Sequence, residues 1–441
     1  MTAALLLYGA AVILVGAAAA RASSRGAESF LVGDRSFGAV AAWAALSSTT
    51  IGGSTTLVLA ALVARVGLPA VWLDLAGALG LAALGLFLAR RVRATGAVTI
   101  AEVIGRFYGS SVRRIAAVLV VLAEIVWFAL LAEATTAVLT AATPWEPRRV
   151  LVLSTLVFVT YTLLGGQRAV IRTDLLQFAL MAAGLLGIAL PLAIRSLAGT
   201  GAPSDLIVFP FSSRFGPLDA AALVVLVGLP HAVGSDVWAK LLSARDGTAA
   251  RRAALGAAGS KLLFGLATVT IALAGSARGL GGGPELFPRT VLALAGGALG
   301  PFLLVAMIAT MQSSSDSVLL SAAAATVHDL LPRRFDTPGV ARLFVALYGG
   351  FGLAVALALP DLVETFRLGY TLFASGLILP TLVALTPSLR VPRALAGAAM
   401  LTGAAAAMGE RAFGLTGLDP VLFGTGANAA VLLAGLRRRK P

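Results

Sequence analysis

Residues Leu303 to Leu330 read LLVAMIATMQSSSDSVLLSAAAATVHDL. The stretch is apolar enough to cross a bilayer, yet Ser313, Ser314, Ser315, Asp316 and Ser317 follow one another in its middle. An ionised Asp at the centre of a spanning helix costs about 2.5–3.5 kcal/mol even on the mildest scale. The cluster is therefore expected to face protein, water or a bound ion.

The rest of the chain is of the same kind. Hydrophobic residues make up 59% of its 441 residues and charged ones 12%, and the mean hydropathy is +0.94, well outside the range of soluble domains. A helix needs roughly 20 apolar residues to span a membrane, and such segments leave no room for a soluble domain. The expectation is an all-α polytopic membrane protein, one transmembrane domain over residues 1–441, with thirteen transmembrane helices. These fall at 2–20, 38–63, 67–89, 112–142, 149–165, 174–195, 217–238, 254–276, 290–327, 339–359, 361–385, 392–410 and 420–436.

Charge and composition exclude several functions. Cys is absent and there are two histidines, His231 and His328, so thiolate or zinc chemistry has no usual ligand set. A net charge of +14 does not imply nucleic acid, because about 25 of the 34 Lys and Arg residues collect on alternate loops, as the positive-inside rule describes. That distribution reads as N-terminus out, C-terminus in. Arg21 and Arg25 follow the first apolar stretch rather than precede it, so residues 2–20 read as a span and not as a cleaved signal.

Two spans carry helix breakers at comparable places. The second contains Ser48-Thr49-Thr50-Ile51-Gly52-Gly53-Ser54, and the seventh contains Gly228-Leu229-Pro230-His231 and then Gly234-Ser235-Asp236. Paired interruptions in two halves of a chain point to a transporter whose unwound backbone offers carbonyls and half-helix ends to ions and solute. A chain with 49 glycines also places some of them in spans for close helix packing alone.

Tyr161 to Gln177 read YTLLGGQRAVIRTDLLQ, which closely resembles the signature of the sodium:solute symporter family. The segment MQSSSDSVLLSAAAATVHDL and the turn AKLLSARDGTAARR, Ala239 to Arg252, are similar to further parts of that family. The resemblance covers essentially the whole chain, although 441 residues is short for the family. It implies a five-plus-five inverted repeat with discontinuous helices, the first repeat at about 38–195 and the second at about 217–385, flanked by peripheral helices 2–20, 392–410 and 420–436. It also implies uptake of a small polar organic solute coupled to Na⁺, across the cell membrane, by a single chain.

On the family pattern a sodium site falls on Ser313 and Ser314, with backbone carbonyls near Ser48, Ile51 and Thr310. The chemistry agrees, since Na⁺ is a hard cation and hydroxyls plus unwound carbonyls supply about five oxygens. A second sodium site found in some members would fall on Asp174, Asp316, Ser317 and the shared Ser313. Ser313, Asp316 and Ser317 share one helix face by spacing. Asp174, after Thr173, also reads as an N-terminal cap of the sixth span.

Solute contacts are expected from Thr50 and Gly53 at the first break, and from Asp74, Asp236, Phe366 and Tyr370. Each has a competing reading. Asp236 has Lys240 at i+4 for a salt bridge, Arg367 is a candidate partner for Asp74, and Trp72 and Tyr370 read equally as interfacial anchors. His231 reads first as a packing residue, and the roles of Glu124 and Glu133 stay open.

An intramembrane enzyme would need a nucleophile with a base, and no GxSxG or paired catalytic pattern is present. A proton-coupled transporter of the same fold, using Asp74, Asp174, Asp236 or Asp316, and a transporter-like sensor with a separate partner are the alternatives to sodium symport.

Overall fold

A helix in hydrocarbon satisfies its backbone within itself, and the apolar runs of this chain are helical in the computed structural model, which describes residues 2–20, 27–297, 299–359, 361–386 and 388–438. Arg21, Arg25, Arg439 and Lys440, which contribute to the expected charge bias, lie outside the described residues. Eight described helices are long and apolar enough to cross a membrane, and a ninth span forms if the bent pair Ala39–Thr50 and Ser54–Val66 is taken as one. Helices Thr2–Ala20, Arg393–Phe413 and Pro420–Gly435 lie where the first, twelfth and thirteenth spans were expected.

Two boundaries differ from the sequence expectation. The segment expected as one span over 290–327 is two helices, Leu286–Ala295 and Leu299–Leu330. Gly296 and Gly297 separate them with φ of 59° and 24°, and consecutive positive φ values end a right-handed helix. Conversely, the fifth and sixth spans form one 54-residue helical run, Pro147–Thr200. It is interrupted at Gly166, whose φ of 58° and ψ of −173° lie in a region open essentially to glycine alone. A Cβ there would also stand 2.6 Å from the Phe30 ring.

The serine-bearing helix Leu299–Leu330 is the centre of the molecule, because its whole apolar window is buried inside the protein. The polar cluster therefore meets protein on every side. By contrast, only 33% of the window in Pro338–Ala358 is buried, leaving that helix at the periphery. Thr2–Ala20 reaches the centre through Tyr8, whose hydroxyl donates to Gln312 Oε1 at 2.7 Å and accepts from Gln177 Nε2 at 3.1 Å. Pro420–Gly435 is anchored by Asn428, whose amide donates to the Ser375 carbonyl at 2.7 Å.

A helix not anticipated in the sequence, Ile100–Tyr108, lies in the segment 90–111. Thr99 caps it by accepting from the Glu102 N–H at 3.0 Å. The Glu102 carboxylate accepts from the Val98 N–H at 2.8 Å and Arg106 Nη2 at 2.6 Å, and His328 Nε2 lies 3.1 Å away at the end of the serine helix. Beside it Arg113 Nε donates to Asp329 Oδ1 at 2.6 Å. Burial alone would raise the Glu102 pKa, but the contacts from His328, Val98 and Arg106 outweigh it and hold the group down at about 2.

A group whose folded pKa is depressed stabilises the fold above its ordinary value, here 4.5, and loses that contribution as pH falls towards 2. Glu102→Gln is therefore expected to lower the melting temperature of detergent-solubilised protein at pH 7, with the difference from wild type shrinking between about pH 4.5 and pH 2. A difference that does not change over that window would contradict this role for Glu102.

Candidate functional site

The first broken helix supplies the frame. Its first half ends at Thr50, and Ile51 leaves the helical ladder with φ of −107° and ψ of 66°. The second half starts at Ser54, so the carbonyls just before the break lack their usual partners four residues on. Buried carbonyls of this kind need other donors. Ser313 Oγ donates to the Ser48 carbonyl at 3.0 Å, and Ser314 Oγ donates to the Thr49 carbonyl at 2.9 Å. Both serine hydroxyls also lie within hydrogen-bond distance of the Thr310 carbonyl, at 3.2 and 3.3 Å.

Gly52 permits this approach. A Cβ on it would stand 2.7 Å from Ser314 Oγ, so any larger residue would push the serine helix off the break. Ser48, Thr310, Ser313 and Ser314 are thus gathered in one buried place, with Ile51 at the adjoining non-helical residue. All of the groups named offer oxygen donors, as a hard monovalent cation requires.

The residues expected around a second sodium are also gathered, but with a lysine among them. Lys240 Nζ lies 2.8 Å from Asp174 Oδ2, and both side chains are fully buried. Asp174 sits about two turns beyond Gly166 within the helical run, so it is not a helix cap; it also approaches the Ser48 side chain. Ser317 Oγ donates to the Ser313 carbonyl at 2.9 Å and lies 3.2 Å from Thr49 Oγ1. Asp316 is buried, and neither of its carboxylate oxygens has a hydrogen-bond partner among the described residues.

A second lysine, Lys261, changes the reading of Asp74. Its ammonium lies 2.9 Å from Asp74 Oδ1 and donates to the Thr50 carbonyl and to Thr55 Oγ1, both at 2.8 Å. Thr55 in turn donates to Asp74 at 3.1 Å. The partner of Asp74 comes from the helix Gly247–Ala277. Arg367, the partner considered for Asp74, pairs instead with Asp419 at 2.6 Å. Lys240, the partner considered for Asp236, is taken by Asp174.

Between the two breaks lies a cavity of ≈ 50 Å³. The seventh-span break is at Gly234, whose extended backbone separates Leu229–Val233 from Ser235–Leu242. Thr50, Gly53, Asp236 and Tyr370 line the cavity, with Thr49, Ser54, Trp127, His231 and Ser314. Asp74 and Phe366 do not line it. Phe366 instead supports Tyr370, their ring centroids 4.7 Å apart, and Trp72 stacks on Phe211 at 6.3 Å. Tyr370 lies against Trp127 at 5.0 Å and parallel to His231 at 6.3 Å.

Ser314 faces both this cavity and the Thr49 carbonyl, so the ion-type site and the solute-type cavity share a side chain. Asp236 accepts the Val237 N–H at 2.8 Å and forms no salt bridge among the described residues. Glu124, buried at the start of the half-helix Ser235–Leu242, stands close to Ser235 and Asp236.

The residues that sequence reading missed are Lys261, Thr49 and Thr55. The signal for Lys261 was present: an ionisable residue inside an apolar span is a site candidate by default. Thr49 and Thr55 carry no signal beyond their place beside the break.

Removing one partner of a buried ion pair costs about 3–5 kcal/mol, while removing both costs much less. Asp74→Asn and Lys261→Met are each expected to lower stability in detergent by about that amount, with the double variant recovering most of it. Recovery should be incomplete, because Lys261 also serves the Thr50 carbonyl. Strictly additive losses would contradict the pairing.

Comparison with known proteins gives a consistent picture. The family model for the sodium:solute symporter family matches residues 30–206. A high-affinity choline transporter from Torpedo marmorata is 26% identical over 362 residues, covering 75% of this chain and 61% of the relative, so the chain spans about three fifths of that protein's length. The fold is similar to that of a Na⁺-coupled sialic acid symporter in a substrate-bound outward-open state, with a TM-score of 0.81 at 17% identity over 100% of this chain and 99% of that one. It also resembles MhsT in complex with L-phenylalanine, with a TM-score of 0.61 at 15% identity over 90% and 98% of the two chains. The chain is thus similar to the sodium:solute symporter family over residues 30–206 and, in fold, to a Na⁺-coupled symporter.

Proposed function

We propose that this protein is a sodium-coupled symporter that imports a small organic cation by alternating access. The observation that carries the sodium part is the pair of bonds from Ser313 and Ser314 to the Ser48 and Thr49 carbonyls. Na⁺ at this junction would be held by those hydroxyls and by the carbonyls of Ile51 and Thr310, tying the broken helix to the serine helix. An ion that binds one arrangement of the two helices better than another shifts the population towards it. Ser314 also lines the cavity, so ion and solute would each favour the same arrangement, and their coupling is reciprocal.

The solute class follows from the charges left over. Asp74 is neutralised by Lys261 and Asp174 by Lys240, which leaves Asp236 as the unpaired carboxylate on the cavity wall. The Trp127 and Tyr370 rings line the same cavity. A carboxylate beside aromatic rings suits an amine or quaternary ammonium, each ring adding about 0.5–2 kcal/mol. The likeness to a choline transporter points the same way. The transport unit would be one chain in the cell membrane, with the solute and Na⁺ entering together.

A thermal-shift screen of purified protein against quaternary amines, amino acids, sugars and carboxylates, run in Na⁺ and in K⁺, tests both parts. An organic cation is expected to raise the melting temperature in Na⁺ and not in K⁺. Losing a hydrogen-bonding group to a charge costs about 1.5–3 kcal/mol, so Ser313→Ala should weaken sodium affinity about tenfold or more, raising by that factor the Na⁺ concentration the shift needs. Equal shifts in Na⁺ and K⁺, unchanged by Ser313→Ala, would remove sodium coupling. A sodium-dependent shift with a neutral sugar or a carboxylate alone would keep sodium and remove the cation.

A further inference from the structure

Lys240, Asp174 and Asp316 form a buried cluster that the primary sodium site and the solute cavity leave unused. Lys240 comes from the half-helix Ser235–Leu242, Asp174 from the run Pro147–Thr200 and Asp316 from the serine helix. Asp174 and Lys240 are the charged groups that act most strongly on Asp316. The only cation recorded against these carboxylates, among the described residues, is the Lys240 ammonium, 2.8 Å from Asp174 Oδ2. Asp174 Oδ1 and both Asp316 oxygens are buried and without hydrogen-bond partners among the described residues, and Ser313 and Ser317 share the helix face of Asp316 by spacing. That set of oxygens is what a hard cation takes.

We propose that the Lys240 ammonium is a tethered substitute for a second sodium ion, so that this chain binds one Na⁺ where the same oxygen donors without the lysine would bind two. The inference rests on the primary sodium site proposed above. A free cation entering beside Asp174 would meet a fixed positive charge, and the lysine has no entropy of capture to overcome. The tether has a mechanical consequence. Lys240 lies four residues after Asp236, one turn along the same half-helix, so the segment that presents the solute carboxylate is held to the Asp174 helix. Asp174 also approaches Ser48, whose carbonyl Ser313 holds. Movement of the solute-facing half-helix would thus be felt at the primary ion site through a permanent cation instead of an exchangeable one.

The test is equilibrium binding of radioactive Na⁺ to the purified full chain, with K⁺ holding the ionic strength constant. Wild type is expected to bind one Na⁺ per chain. Lys240→Met, which keeps the side-chain length and removes the charge, is expected to bind two. The pair Lys240→Met with Asp174→Asn should return to one, as should Lys240→Met with Ser314→Ala. Two ions in wild type would overturn the proposal while leaving the primary site standing, and so would one ion in a folded Lys240→Met protein. No sodium binding in wild type would overturn the primary site and this proposal together. Should Lys240→Met fail to fold, Lys240→Gln, which keeps a hydrogen-bonding partner for Asp174 without the charge, is expected to bind two, and one ion in that folded variant would overturn the proposal.

Discussion

Three successive carbonyls at the end of the Ala39–Thr50 helix are each taken by a side chain from another helix. Ser313 holds Ser48, Ser314 holds Thr49, and Lys261 holds Thr50. A buried amide carbonyl left without a partner costs about 1–3 kcal/mol, so a break in mid-membrane is tenable only where such donors converge. The rest of the arrangement follows from this constraint. The apolar window of the serine helix is buried throughout, where its hydroxyls serve the break, Gly52 is a glycine because Ser314 Oγ lies 2.7 Å from where its Cβ would be, and Lys261 is buried because Asp74 balances it.

The same constraint bears on the sodium ion proposed at this junction. Hydroxyl hydrogens occupy the Ser48 and Thr49 carbonyls, and a cation binding there would take over the oxygen lone pairs and release the hydroxyls to serve as ligands. The hydrogen bonds and the ion are alternative ways of satisfying one set of groups, so the free-energy difference between them is small compared with either alone. Such a near balance lets a weakly held ion change which helix arrangement is populated. Asp236 of the second broken helix lines the same cavity as Ser314, so a solute bound there would touch both helices.

Much of this was legible in the sequence, for stated reasons. The serine cluster in an apolar run, the glycines at 52 and 53 and the Gly234-Ser235-Asp236 interruption are local signals, and each marks a place where the regular helix is abandoned or its polar groups are compensated. What was not legible was pairing across the fold. Asp236 and Lys240 are i,i+4 on one helix face, yet Lys240 turns to Asp174, because a buried ammonium goes to the carboxylate that tertiary packing brings closest and helical spacing cannot reveal that. Lys261 carried a signal in its burial within a span, but its target, 211 residues away at Thr50, is set by topology. The helix Ile100–Tyr108 and the split at Gly296 and Gly297 were missed because hydropathy over a window averages out short helices and two-residue breaks.

The central claim is that sodium joins the broken helix to the serine helix. Hydrogen exchange read by mass spectrometry on the purified protein, in Na⁺ and in K⁺, tests it most directly. The account predicts slower exchange in Na⁺ over residues 48–56 and 310–317, with peptides from Arg393–Phe413 unchanged. Equal exchange at the break in the two salts, at sodium concentrations that support solute binding, would contradict it.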